Sequence, residues 1–348
     1  MPLIKEENAK LYLPGETLKD PHHACVFFNP VMRFCRSVSS LALGASESKS
    51  VLDGLCASGA RGIRYSLENK TKKVVFVDAN PDALAYCRKN VKANKVKGSV
   101  LEEDFNRFCF DSEERFDFVE LDPFGTPAPF LESVFSCVGN SFFFSVTATD
   151  LANLCAKNAP TLKYYGSKTL RIDCCHEIAL RILVKKVVLE AEKKGFSCKP
   201  LFSFYRNHYV KTICLCKKSK KKNRDIGFLN FNPKTLERSF SKKKGKTFAG
   251  PLWVGGLQDE KFVKKMISLN EERTYADKEK ISVLFESLLV EDEFKKPFFD
   301  VSVLADHYNK PVNFKIIDFV QRVKGIRVHY SPMGVKTNYS VKKIISLF

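Results

Sequence analysis

The chain has no run of 18 apolar residues, no Cys-x-x-Cys pair, one tryptophan and only two glutamines among 348 residues. The first absence argues against a membrane-spanning helix. The N-terminus, MPLIKEENAK, lacks the basic-then-apolar order of a signal peptide, so a soluble cytoplasmic protein is expected. The second absence removes the usual spacing of a zinc site: the twelve cysteines offer only adjacent Cys174 and Cys175 and the Cys214-x-Cys216 pair. Most are expected to be small buried hydrophobes, with no metal. The shortage of glutamine beside abundant lysine suits high temperature, where disulfides persist inside cells, so one or two bridges stay open. Acids are also short, 39 against 58 Lys and Arg, which leaves a net charge of +19. Such an excess calls for a polyanionic partner, and without a membrane segment nucleic acid leads. A 44% hydrophobic content with 30 Phe excludes a disordered chain, and the length predicts two domains.

From Ser50 onward, apolar runs alternate with helical patterns, which predicts an α/β fold with a mostly parallel sheet. Strands are expected at Val51 to Leu55, Lys73 to Asp78, near Ser99 to Glu103, Phe116 to Leu121 and Ser141 to Thr147, and a long helix over Cys174 to Lys194. Leu201 to Tyr205 and Tyr209 to Cys216 flank a tight Arg206-Asn-His turn and predict a closing antiparallel hairpin. Residues 217–248 carry 12 Lys or Arg against two acids, a basic linker that is either an RNA-facing loop or a solvated tether. From 249 a smaller C-terminal α/β domain is expected, with strand-like Phe298 to Leu304 and Ile326 to Tyr330, so the predicted units are 1–216, 217–248 and 249–348.

The first strand runs into a turn holding Asp53, Gly54, Ser58, Gly59 and Gly62 before a helix. Backbone N–H groups and a helix N-terminus there favour a carboxylate or phosphate, although such a turn by itself fits many α/β proteins. The next strand ends at Asp78, about 20 residues on, where an acid can accept both hydroxyls of an adenosine ribose. Asp104 is placed either to meet an adenine amine, with Phe105 flanking the ring, or to cap a helix.

Glu120-Leu121-Asp122-Pro123-Phe124-Gly125-Thr126-Pro127 follows the fourth strand, at the sheet end where α/β enzymes place ligands. It resembles the (Asp/Asn)-Pro-Pro-aromatic motif of amino methyltransferases. The lone pair of an exocyclic amine is delocalised into its ring and attacks a sulfonium methyl poorly. A carboxylate at Asp122 and the Pro123 carbonyl can accept hydrogen bonds from the amine, localise that pair and take or relay its proton, while proline restricts the turn. Phe124 is placed to stack on a flipped base.

The run Asp122 to Phe130 closely resembles the signature of the tRNA (guanine-N2-)-dimethyltransferases. Similar segments follow in family order along nearly the whole chain: Val26 to Pro30 with Arg36, Ser58 to Arg64, Val146 to Asp150, Tyr205 to Tyr209, Gly250 to Trp253 and His329 to Gly334. The resemblance implies a class I, Rossmann-like methyltransferase domain with a seven-stranded sheet, S-adenosylmethionine as cofactor and tRNA as partner. It implies that Arg36, Arg61, Asp78, Asp104 and Phe105 contact the cofactor beside the turn residues Asp53 and Gly59. Asp122 would be the catalytic carboxylate, and Phe27 and Phe124 would sandwich guanine; core packing is the other reading of Phe27. Where many members carry a cysteine-rich zinc-binding insertion before Gly-Pro-Leu-Trp, this chain has lysines. Arg-Val-His-Tyr at 327–330 also matches only in part.

The implied activity is dimethylation of guanine 26 of tRNA in two successive transfers, by a monomer. Guanine 10, monomethylation, a silent RNA-binding module and an amino methyltransferase of DNA or protein glutamine are the alternatives. Intact Asp78 and Asp122 weigh against silence, and the basic segment with the C-terminal matches weighs against a protein substrate.

Overall fold

A computed structural model describes residues 2–20 and 24–348. An N-terminal hairpin, β1 (Leu3–Glu6) and β2 (Ala9–Tyr12), precedes α1 (Arg33–Ser46). Strands and helices then alternate as β3 (Ser50–Gly54), α2 (Ala60–Glu68), β4 (Lys73–Asp78), α3 (Pro81–Ala93), β5 (Gly98–Glu102), α4 (Phe105–Asp111), β6 (Phe116–Leu121) and β7 (Val138–Ala148). Helices α5 (Leu151–Ala156), α6 (Asn158–Tyr165) and α7 (Cys175–Lys193) lead to the hairpin β8 (Phe196–Arg206) and β9 (Tyr209–Lys218). Seven strands form one sheet in the order β5-β4-β3-β6-β7-β9-β8, in which only β9 runs against its neighbours. The expected mostly parallel, seven-stranded class I methyltransferase sheet is the one observed.

Helices on both faces explain why β4 is apolar between its charged ends, with Val74 to Val77 fully buried. The chain order reverses between β3 and β6, which opens a crevice at their carboxyl ends. Close packing at that end depends on missing side chains: a Cβ on Gly62 would stand 2.4 Å from the Phe76 ring.

The basic stretch 217–248 is not a bare tether. It contains β10 (Ile226–Phe231) and β11 (Arg238–Ser241), which with β12 (Phe248–Trp253) form a sheet in the order β11-β10-β12. The lysines hide this in a charge count, but Leu229, Ala249 and Leu252 between them are buried in the core that also holds α7. Beyond it come α8 (Glu260–Glu272), α9 (Lys278–Glu291), β13 (Phe299–Asp300), α10 (Val301–His307), α11 (Ile316–Arg322), β14 (Ile326–Arg327), β15 (Gly334–Lys336) and α12 (Val341–Ile345). The expected strand at Phe298 to Leu304 is therefore two residues followed by a helix. Asp300 accounts for the switch, because its side chain accepts hydrogen bonds from Ser302 N and Val303 N and caps α10. The second expected strand shortens to Ile326–Arg327.

Helices α8 and α9 share a core with α1 and β8, and Phe298, Val328 and Tyr330 join the sheet core, so residues 249–348 pack closely on the catalytic sheet. A separate small core forms around Phe299, Leu304, Phe319 and Val335. All twelve cysteines are free thiols, ten of them buried. No helix of the described residues is long and apolar enough to cross a membrane.

Candidate active site

The cofactor side begins where β3 ends. Leu55 and Ala57 take left-handed φ values of 58° and 45°, and Gly59 follows at 75°. Only glycine adopts that region freely, so the two other residues cost of order 1–3 kcal/mol each and need external support. Asp78, at the tip of β4, supplies it: its carboxylate accepts from Ala57 N at 2.8 Å and from Asn80 N at 2.9 Å. Cys56 N also donates to Val77 O at 3.1 Å. Each carboxylate oxygen has a second lone pair, so Asp78 holds the turn and still has capacity for a diol. Asp53 accepts from Gly62 N at 2.8 Å and is fully enclosed. Burial pushes its carboxyl up to about 7, against the opposing pull of the Arg61 guanidinium.

At the tip of β5, exposed Asp104 caps α4 by accepting from Arg107 N at 3.0 Å. Phe105 is buried under Gly54 and meets Phe130 edge-on at 6.0 Å. Arg36 reaches the site from α1, its Nε and Nη2 donating to Glu6 at 2.6 and 2.5 Å and Nη2 also donating to Asn29 O at 3.1 Å. Glu6 lies on the N-terminal hairpin. Burial raises its carboxyl, but Arg36 and Arg64 outweigh that and hold it below the ordinary range.

The chemical side follows β6. Asp122, with 17% of its side chain exposed, accepts from Arg61 Nη2. Arg61 Nη1 also donates to Ser39 Oγ at 2.9 Å and lies 3.6 Å from Glu120. Glu120 is fully buried and accepts from Tyr65 and Lys211, each at 2.6 Å, while Lys211 donates to Thr147 at 2.9 Å. The Asp122-Pro-Phe-Gly turn is pinned to the end of β7, because Gly125 N donates to Thr149 Oγ1 at 2.8 Å and Thr149 N returns to Gly125 O at 3.0 Å. Next to it Asp150 accepts from Tyr165 at 2.7 Å, and burial raises its carboxyl above the ordinary range.

These elements enclose two adjoining chambers. The larger, about 590 Å³, is lined by Phe27, Arg36, Asp122, Phe124, Asp150 and His208, among others. The narrower, about 60 Å³, is lined by Asp53, Gly54 and Arg61 and shares Phe27, Asn29, Arg36 and Asp122 with the first. Asp122 thus stands in the wall common to both. Phe27 is 38% exposed and Phe124 75%, whereas Phe28 turns inward at 2%, which rules out core packing for Phe27. The two exposed rings meet edge to face at 5.9 Å and 69°. A ring stacked between them needs parallel faces about 7–8 Å apart at two van der Waals contacts, so the pair must open and at least one ring turn to admit it.

Of the residues singled out from sequence, Phe27, Arg36, Asp53, Arg61, Asp122, Pro123 and Phe124 converge on the chambers. Gly59 shapes the turn, and Asp78, Asp104 and Phe105 sit on the same sheet edge beyond them. Glu6, Glu120, Lys211, Thr149, Asp150 and His208 were not assigned roles. The signal for two of them is an acid inside the otherwise apolar end of β6 and a lysine inside apolar β9: charges that pair across the sheet.

A family model described as N2,N2-dimethylguanosine tRNA methyltransferase matches residues 8–348. The tRNA (guanine(26)-N(2))-dimethyltransferase of Thermococcus kodakarensis is 33% identical over 368 residues, covering 96% of this chain and 95% of its own. That of Archaeoglobus fulgidus is 36% identical over 271 residues, covering 74% and 76%. Among solved structures, Trm1 from Pyrococcus horikoshii in complex with S-adenosyl-L-methionine superposes with a TM-score of 0.91 at 27% identity, covering 100% of this chain and 99% of its own.

Proposed function

The chain belongs to the N2,N2-dimethylguanosine tRNA methyltransferase family, and we propose that it methylates the exocyclic N2 of guanine 26 of tRNA at the wall formed by Asp122. S-adenosylmethionine, the cofactor, supplies an electrophilic sulfonium methyl. The observation that carries the assignment is the position of Asp122 between a narrow chamber bounded by the glycine turn and a roomy one walled by exposed aromatic rings.

In this reading the turn from Asp53 to Arg61 and the carboxylate of Asp78 hold the cofactor, and Arg36 faces its charged end. Phe27 and Phe124 take the extruded base. Asp122 and the Pro123 carbonyl each accept a hydrogen bond from the amine, which draws its lone pair back onto N2, and Asp122 takes or relays the departing proton. After one transfer a single N–H remains on N2, and Asp122 can still orient it, which suits two successive transfers. Residues 217–248 and 249–348 would grip the tRNA while 1–216 performs the chemistry. We take a monomer as the working unit and place it in the cytoplasm with its substrate.

The test is incubation with labelled S-adenosylmethionine and unmodified tRNA, followed by mass mapping of the nucleosides. Two methyls on guanine 26, lost when that base is replaced by adenine, are expected. Label at guanine 10 instead, or no label, overturns the assignment.

A further inference from the structure

Outside the two chambers, three side chains with an affinity for soft metals converge. Cys155 lies in the last turn of α5, and Cys175 and His176 open α7; one ligand atom from each falls within 4.8 Å of the others. Cys155 is distant in sequence from the adjacent Cys175 and His176 and the set follows no zinc spacing, so only the packing of α5 on α7 brings Cys155 to the other two.

The chemistry of the three fits one ion. Zinc binds sulfur at about 2.3 Å and imidazole nitrogen at about 2.0–2.1 Å, which in a tetrahedron separates the ligand atoms by about 3.5–3.8 Å. The cluster therefore needs to close by roughly 1 Å, within reach of side-chain rotation. His176 is already fixed in plane by stacking on Tyr205 at 4.1 Å and 12°. Cys155 is buried while Cys175 and His176 are half-buried, an arrangement that leaves one side for a fourth ligand from water.

We propose that Cys155, Cys175 and His176 hold a single zinc-class divalent cation, with water completing the tetrahedron and the two thiol protons released to solvent on binding. Its effect is to cross-link the base chamber from behind. Helix α5 has six residues, too few to persist without tertiary support, and no side-chain hydrogen bond caps its start. It begins directly after Asp150, and the β8–β9 turn that follows Tyr205 carries His208; both residues line the larger chamber. A cation joining α5 to α7 braces that wall.

The experiment uses the full chain, reduced with a phosphine and stripped with chelator, then titrated with cobalt(II). One equivalent per chain is expected to give the visible bands of a tetrahedral cobalt site with thiolate charge transfer, displaced by zinc, together with a higher melting temperature. Cys155→Ser, Cys175→Ser and His176→Gln should each weaken binding by more than the roughly 10- to 100-fold that loss of a mere outer-shell partner causes. Cys25→Ser, at an exposed thiol elsewhere, should leave it unchanged. Absence of the cobalt spectrum in the reduced protein, its survival in all three variants, or isolation of the native protein with Cys155 and Cys175 joined as a disulfide overturns the assignment.

Discussion

Arg61 donates to the Asp122 carboxylate across the seam between the glycine turn after β3 and the Asp-Pro-Phe-Gly turn after β6. The guanidinium is enclosed. Desolvation disfavours its charge, yet Asp122 and Glu120 more than restore it, so it is held well above its ordinary value. One cation thus joins the turn after β3 to the turn after β6 and offsets the negative charge of both carboxylates.

Asp122→Ala is expected to lower methyl transfer by about 10²- to 10⁴-fold, the range of a positioned acid or base. Cofactor affinity should change only a few-fold, because Arg61 retains Glu120 and Ser39. Single-turnover rates and calorimetry measure the two effects separately. Near wild-type turnover would make Asp122 structural.

Asp78→Ala should weaken S-adenosylmethionine binding by about 1.5–3 kcal/mol for each charge-assisted bond lost, or more, since the Ala57 turn also loses its support. Asp78→Asn separates the two contributions. Its single amide oxygen can keep the Ala57 N bond while giving up the Asn80 N bond, and an amide lacks the charge and second acceptor oxygen that a diol uses. Unchanged affinity in both variants, read by calorimetry, would remove Asp78 from the ribose.

Where a single segment carried both the residues and their context, sequence was enough. Phe116 to Leu121 stands as expected because an apolar run ended by Asp and Pro has one good solution, and Asp78, Asp122 and Phe124 stand at strand ends where their position in the sequence puts them. Phe298 to Leu304 misled because alternating apolar residues fit a strand as well as a short helix, and only the Asp300 cap decides. The Glu6–Arg36 and Glu120–Lys211 pairs join elements that touch only in the fold, and no spacing rule encodes them.

Lys211→Met should destabilise the protein by about 3–5 kcal/mol, the usual result of leaving one member of a buried ion pair behind. Both partners are fully enclosed, and Tyr65 and Arg61 compensate Glu120 only in part. The double variant with Glu120→Gln should recover most of the loss in chemical denaturation. A single variant as stable as wild type would show that Arg61 alone suffices.

Asp53 makes stability fall as pH rises. Its folded carboxyl titrates near 7 and the unfolded one near 3.8, so between those values the unfolded chain releases the proton first and gains relative stability. The contribution is complete below about pH 4 and lost through pH 7. Asp53→Asn can still accept from Gly62 N and does not titrate. It should remove a slope of up to about 1.4 kcal/mol per pH unit between pH 4 and 7. Parallel denaturation curves for the variant and wild type across that window would show that Asp53 ionises normally.

The lysines of the small sheet give the last prediction. Lys220, Lys221 and Lys222 are exposed in the connection from β9 to β10, and Lys243 and Lys244 in the turn from β11 to β12. The same sheet borders a hollow of about 600 Å³ whose rim includes Lys234, Lys246 and Lys296. Lys242 is different: its ammonium donates to the Arg224 and Ile226 carbonyls and helps hold the sheet, so it should be kept. Changing the other five to Gln leaves the buried side of the sheet intact and removes outward charge, with Lys244 also giving up its contact over the Phe248 ring at 4.7 Å. Each duplex phosphate neutralised contributes roughly 0.9 to the slope of log affinity against log salt. If three of the five touch the backbone of tRNA, the slope falls by about 2 to 3, with cofactor affinity unchanged. The five lysines stand in two connections of the same small sheet, which holds them near one another on the folded surface. A salt series on tRNA binding decides it, and an unaltered slope would move RNA recognition to the surfaces of the catalytic sheet and the C-terminal helices.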